Sequence, residues 1–287
     1  MKLIVQKYGG TSVADASAIK KAASKVIEAK EEGNSVVVVV SAMGSRTDDL
    51  INLAVELTDD PEPREMDMLL STGERETMSL MAMYLKNQGY DAISLTGSQA
   101  GIITTSKHGQ AEIEEITGDR VREGLDKGQV VIVAGFQGFN RDTREITTLG
   151  RGGSDATAVA LAASLDADVC EIYTDVRGVF TSDPRIVNKA KLIKEITYDE
   201  MLEMSSSGAK VLMARSVEFG RRYNVPIKVS STFLDEEGTI VKDKVMEQAI
   251  ISGVTHNDEE IKFTLFGVPD QPGICLLYTS PSPRDRG

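Results

Sequence analysis

In the stretch TTLGRGGSDATAVALAASL, residues 147 to 165, one arginine, Arg151, stands among Gly150, Gly152 and Gly153, directly ahead of a long apolar run that reads as a buried helix. Glycine lets a backbone approach a ligand closely, and arginine presents a fixed fork of donors to a carboxylate or phosphate. The free amides and dipole at the N-terminus of a helix over 154–166 draw an anion to the same place. Ser154 or Asp155 serves either as the cap of that helix or as part of the site, and the residues alone leave both open. Lys7 precedes Gly9 and Gly10 at the end of the first apolar run. It is either an ordinary strand-end lysine or a point charge on a transferring phosphoryl group whose oxygens the glycine amides hold. Glu74 interrupts the Met- and Leu-rich pattern LLSTGERETMSLMAMYL beside Gly73. With Arg75 and Glu76 as neighbours its ordinary reading is a solvated helix face; as a functional group it suits a cationic atom such as an ammonium.

His108 and His256 lie outside every glycine loop, and there is neither a Ser, His, Asp order nor an H-E-x-x-H spacing. Histidine acid catalysis and zinc hydrolysis therefore lack their partners. Phosphoryl transfer to a carboxylate fits this absence, because the acceptor is already ionised at neutral pH and asks only for positioning and charge neutralisation.

Such groups need a frame. KLIVQK, SVVVVVSA (35–42), QVVIVAG (129–135), DVCEIYTD (168–175) and VPIKVSS read as strands, and helical patterns cover 15–31, 47–57, 63–87, 154–166, 198–205 and 208–222. Continuous apolar strands separated by helices predict an α/β fold, three layers α/β/α around a mainly parallel sheet. Small-residue turns follow at least three strands, KYGGTS (7–12), SAMGS (41–45) and GFQG (135–138), and in an open parallel sheet these converge on one rim where ligands bind. There is no G-x-x-x-x-G-K-[ST] and no G-x-G-x-x-G, nor the H-R-D and D-F-G elements of protein kinases, so a phosphate binder must use another fold.

Hydrophobic residues at 41% and charged residues at 26% describe a globular chain, and its 287 residues suffice for about two domains. Forty-four acidic against 32 basic residues, a net charge of −12, argue against nucleic acid or an anionic membrane as the main partner. Cys170 and Cys275 are far apart and in no metal spacing, and Cys170 reads as a small buried hydrophobe. The apolar stretch of MKLIVQKYGG is too short for a signal peptide and no run reaches membrane-spanning length, so the expected location is the cytoplasm.

Taken in order, KYGGTSV, VSAMG, STGE, TGSQAGI, GFQG, TTLGRGGSD, IYTDVRGVFTSDPR and GAKVL strongly resemble the aspartokinases of the amino acid kinase family, from residue 1 to about 274. The resemblance implies phosphorylation of L-aspartate by ATP to give ADP and 4-phospho-L-aspartate, the first step towards lysine, threonine and methionine. Magnesium is then carried by the nucleotide, and the protein supplies no metal site. By the same resemblance Lys7 stabilises the transferring phosphoryl group, Gly9 and Gly10 donate amides to the phosphates, Asp155 orients Lys7, and Ser41 lies beside both ligands. Thr47, Glu74, Arg151 and Ser154, with Gly152 and Gly153, hold aspartate, Glu74 on its ammonium and Arg151 on its α-carboxylate. Thr174, Asp175, Phe180, Arg185, Lys210 and Val211 match the part of the family that receives the nucleotide. Arg177 stands where many relatives carry an acidic or small residue, at the nucleotide rim.

Related kinases of N-acetylglutamate, glutamate or nucleoside monophosphates fit less well, since an acetylated amine offers Glu74 no charge. A non-catalytic sensor on the same fold, or an inactive truncated product, is the alternative of a different class; Lys7, Arg151 and Asp155 together speak against the sensor. GVPDQPG resembles the start of a first ACT regulatory domain, whereas family members continue through two. The expected organisation is a catalytic domain over 1–250, the start of a truncated ACT domain over 251–275, and a non-native disordered tail over 276–287. Full-length relatives oligomerise through their ACT domains, which puts association of this chain in doubt.

Overall fold

The β-branched runs become strands that share one sheet. In the computed structural model, which describes residues 1–209, 211–244 and 253–255, β1 (Leu3–Tyr8) leads through a 3-10 turn and α1 (Ala16–Glu31) to β2 (Ser35–Val40), α2 (Arg46–Leu57) and α3 (Pro63–Asn87). Then follow β3 (Ala92–Leu95), β4 (Ile102–Thr104), β5 (Ile113–Ile116), α4 (Asp119–Asp126), β6 (Val130–Ala134), β7 (Gln137–Phe139) and β8 (Ile146–Thr148). The remaining elements are α5 (Gly153–Ser164), β9 (Val169–Thr174), β10 (Glu195–Thr197), α6 (Tyr198–Ser206), α7 (Ala214–Tyr223), β11 (Ile227–Ser231) and β12 (Thr239–Lys242). The expected ACT segment and tail lie outside the described residues, apart from 253–255, as do Lys210, His256 and Cys275.

Eight strands form the large sheet in the order β10-β12-β11-β9-β1-β2-β6-β3, parallel throughout except where β12 meets β11. Five consecutive buried valines in β2 show why it is central: both faces are covered. Val36, Val38 and Val40 face α1 and α3, packing with Ile19, Val26, Met81 and Leu85. Val37 and Val39 face the other way, into a core shared with Val159 and Leu161 of α5, Met201 of α6 and Val217 of α7. The three-layer, mainly parallel reading is borne out. So is the buried helix after the glycine loop: α5 is buried on every side from Gly153 to Ala162, and its alanines let it lie close against the sheet.

Three features depart from the expected pattern. The helix expected over 208–222 begins only at Ala214, because Gly208 sits at φ +108° and Met213, in extended backbone, is the N-cap of α7. GFQG is a turn only at Gly135 and Phe136; Gln137 and Gly138 already belong to β7. The third is a second, four-stranded sheet in the order β5-β4-β7-β8, built from strands of three or four residues that are too short to show a period.

The position of the site follows from the strand order. From β1 the chain moves one way to β2 and β6, and from β9 the other way to β11, so the order reverses between β1 and β9. Loops leaving the carboxyl ends of these two strands diverge there and open a crevice, the usual place for a ligand in an open parallel sheet.

Candidate active site

Lys7 lies at that reversal point, one residue before the end of β1. Alternation along the strand turns Val5 and Lys7 toward α5 and Tyr8 toward α1. The Lys7 ammonium meets Asp155, in the first turn of α5, with Nζ 2.5 Å from Oδ1 and both side chains about nine-tenths buried. Asp155 does not cap its helix. The N-cap is Gly152, in left-handed backbone at φ +73°, and no side chain caps the first turn. Neither Ser154 nor Asp155 caps α5; the amides of Gly153 and Asp155 donate to Gly150 O at 3.0 Å and Gly152 O at 3.1 Å, and in this turn the Ser154 amide is left without an acceptor among the described residues.

The loops after β1, β2 and β9 are stitched together by main chain. Gly9 N donates to Tyr173 O at 3.3 Å, Gly44 N to Gly10 O at 3.0 Å, and Ser41 N to Tyr8 O at 3.1 Å. These bonds place Gly9, Gly10 and Ser41 around the Lys7 end of the crevice. Thr47 stands in the first turn of α2, half-buried.

Glu74 is the residue whose ordinary reading fails. It is 3% exposed, not solvated, and sits on the inner side of α3. Its Oε1 accepts a hydrogen bond from Ala42 N at 3.2 Å, while its Oε2 is buried with no partner among the described residues. Desolvation pushes its carboxyl up to about 7, against the lowering effect of its own amide and that of Ala42. A buried, half-satisfied carboxylate bonded to the amide that follows Ser41 invites a cation.

Arg151 is the complement. It is exposed, and its guanidinium has no ion pair or hydrogen bond among the described residues. The loop beneath it is tied by main-chain bonds: Leu149 N donates to Phe136 O at 2.9 Å and Gly153 N to Gly150 O at 3.0 Å. A side chain at Gly152 would collide with Met213, whose Cγ lies 2.4 Å from where its Cβ would be. Ser154 packs against the end of β6 so tightly that a Cβ on Gly135 would lie 2.8 Å from its Oγ and 3.1 Å from its Cα. Gly135→Ala should therefore lever the start of α5 away from the sheet. We expect a loss of about 2 kcal/mol in chemical denaturation together with impaired activity.

On the other flank of the crevice, Thr174 ends β9 and its hydroxyl donates to Asp175 at 3.0 Å. Phe180 is half-buried and bridges to Leu192, and Val211 is half-buried beside the α5 core. Arg185 is not gathered into the cluster in the same way: its guanidinium is 87% exposed and turned back onto Asp183 at 2.7 Å. Arg177 forms a two-pronged ion pair with Glu236. Lys210 lies outside the described residues.

Several contacts around the site had no signal in residue spacing. Thr232 donates to Ser12 Oγ at 2.6 Å, tying the loop after β11 to the glycine loop after β1. Arg215, at the start of α7, donates to Leu149 O at 3.1 Å and braces the Arg151 loop from below. Asp67, 1% exposed on α3, collects three donors from the loops around Arg151. Among the described residues no group of three or more His, Cys, Asp or Glu side chains is placed to hold a metal ion.

The arrangement can be set against known proteins. The pattern of the Amino acid kinase family matches residues 2–231. The chain belongs to the amino acid kinase family. Within this family it is 58% identical to an aspartokinase of Mycolicibacterium smegmatis over 279 residues, which are 96% of this chain and 66% of that protein. This amino acid kinase chain thus spans about two thirds of the length of that relative. Among solved structures, aspartate kinase from Synechocystis is 53% identical with a TM-score of 0.75, covering 84% of this chain and 40% of its own. E. coli aspartokinase III in complex with aspartate and ADP is 30% identical with a TM-score of 0.76, covering 85% of this chain and 65% of that one.

Proposed function

We propose that the chain is an aspartate kinase, transferring the γ-phosphoryl group of ATP to the β-carboxylate of L-aspartate. A carboxylate oxygen forms a bond to the γ-phosphorus, the bond from that phosphorus to the bridging oxygen breaks, and its electron pair leaves with ADP. No proton moves, so no general base is required. The observation that carries this reading is the pairing of opposites at one rim. Glu74 offers a buried carboxylate oxygen and Arg151, in the loop that leads into α5, a guanidinium, neither with a partner among the described residues. An amino acid with a free ammonium and a free α-carboxylate satisfies both. An N-acetylated amino acid would leave Glu74 buried and unpaired.

Lys7 then neutralises charge on the phosphoryl group in transit, and Asp155 holds its ammonium in place. Gly10 presents its amide to the phosphates while Gly9, whose own amide is bonded to Tyr173 O, lets the backbone approach them; Ser41 and Thr47 line the junction of the two ligands, and Ser154 with Gly152 and Gly153 completes the seat of aspartate. The nucleotide lies toward Thr174, Asp175, Phe180, Arg185, Lys210 and Val211. A magnesium ion carried by the nucleotide would screen its phosphates; Asp155 is committed to Lys7. The E. coli relative's complex with aspartate and ADP supports both substrates. The product is 4-phospho-L-aspartate, the first intermediate towards lysine, threonine and methionine, and the proposed location is the cytoplasm. No helix among the described residues is long and apolar enough to cross a membrane. A sensor without activity would have no use for the Lys7–Asp155 pair.

Arg151→Ala should raise the KM for aspartate about tenfold or more while leaving the KM for ATP within twofold, as the loss of a charged hydrogen-bond pair at one ligand only. Steady-state kinetics with each substrate varied in turn decides it. Equal effects on both constants would sink the assignment.

A further inference from the structure

The small second sheet and the glycine loop are held to α3 along a single line of polar contacts. Arg64 Nε reaches Glu145 Oε1 at 3.4 Å. Ser71 O accepts from Gln137 Nε2 at 2.8 Å, and Arg75 Nε donates to Gln137 Oε1 at 3.3 Å. The centre of this line is Asp67. Its Oδ1 accepts from the Thr148 hydroxyl at 2.5 Å and from Gly109 N at 3.1 Å, and its Oδ2 accepts from His108 Nδ1 at 2.7 Å. The other ring nitrogen of His108 lies 3.3 Å from Glu145 Oε2.

These bonds converge on the chain that presents Arg151. Thr148 is three residues upstream of it, and Thr148 O accepts from Ala111 N at 2.9 Å. The 108–111 turn closes against the same loop: a Cβ on Gly150 would stand 3.2 Å from Gly109 O. Asp67 also shares its helix face with Glu74, since seven residues are two turns and about 10 Å along the axis. A buried carboxylate with three donors is a costly arrangement to leave without purpose, because any lost donor strands a charge.

We propose that Asp67 is a positioning residue for Arg151, acting through Thr148 and the 108–109 turn, so that α3, which carries both Asp67 and Glu74, helps to set the separation between the carboxylate of Glu74 and the guanidinium of Arg151. That separation measures the distance between the ammonium and α-carboxylate of the amino acid and so contributes to its selection. The inference rests on the reading in which these two residues hold the substrate.

The test uses the whole 287-residue chain with Mg·ATP and L-aspartate. Thr148→Val keeps the shape of the side chain and removes the hydroxyl; Thr148→Ser keeps the hydroxyl. Thr148→Val should raise the KM for aspartate about tenfold with the KM for ATP within twofold, and Thr148→Ser should restore it to within twofold of wild type. In the Arg151→Ala background Thr148→Val should add nothing, since its effect runs through the missing guanidinium. Asp67→Asn, which turns one acceptor into a donor facing other donors, should reproduce the split if Thr148→Val fails to fold. Equal changes in both KM values, an unchanged aspartate KM in a folded variant, or effects that multiply with Arg151→Ala would overturn the inference alone. A wild-type chain without turnover of aspartate would instead overturn the functional reading and the inference with it.

Discussion

Lys7→Met should lower kcat with aspartate about a thousandfold while the KM values for ATP and aspartate change little, because the ammonium acts on charge that develops only during transfer. The same substitution leaves Asp155 as a buried carboxylate without its counter-ion, and this should cost about 3 kcal/mol or more of stability. The two effects separate in a double variant. Lys7→Met with Asp155→Asn removes the stranded charge, so denaturation midpoints should recover, whereas kcat should stay at the level of Lys7→Met. Asp155→Asn alone should keep part of the rate, since the lysine remains but is no longer held. If the double variant regained activity together with stability, Lys7 would be a folding residue and not a catalytic one.

Glu74→Gln carries the second large effect, with opposite consequences for stability and binding. The carboxyl titrates near 4.5 when exposed and at about 7 when buried in the folded chain. Between those values the folded state binds more protons than the unfolded state, so this residue makes stability fall as pH rises across that window. The full penalty, about 3 kcal/mol, is present above pH 7 and absent below pH 4.5. Glu74→Gln removes it, and the ligand-free variant should be more stable than wild type at pH 8 and no more stable at pH 4. Its KM for aspartate should nevertheless rise about 100-fold, the loss of an ion pair in a dry site. In the wild type, the KM for aspartate should fall as pH rises through about 7, as Glu74 ionises to meet the substrate ammonium; in Glu74→Gln that dependence should vanish. A parallel pH profile in the two proteins would remove Glu74 from the site.

Much of this frame was legible in the residues because it rests on runs long enough to show a period. The valines of β2, the alanine-rich α5 and the 25-residue α3 each declare both their type and their degree of burial. The ligand-facing place of Lys7 and Arg151 was legible in part, since glycines mark where backbone must approach a ligand; the pairing of Lys7 with Asp155 came only through the family resemblance. The burial of Glu74 was not legible from spacing: a glutamate between Gly73 and Arg75 looks solvated, and only the packing of α3 on the loop after β2 encloses it. Asp67 was hidden for a related reason. Its donors come from residues 108, 109 and 148, some 41 to 81 positions away, and three- and four-residue strands carry too little pattern to predict where the second sheet returns. The late start of α7 shows the same limit, because a helical pattern over 208–222 does not reveal that a left-handed Gly208 interrupts it.

The most direct test of the account is chemical trapping of the product. The chain is incubated with Mg·ATP and hydroxylamine together with L-aspartate, N-acetylglutamate or glutamate, and hydroxamate and ADP are measured. An acyl phosphate yields hydroxamate when hydroxylamine displaces its phosphate, so the account predicts hydroxamate with aspartate alone, in step with ADP. Hydroxamate with N-acetylglutamate, or none with aspartate from a folded chain that binds ATP, would contradict it.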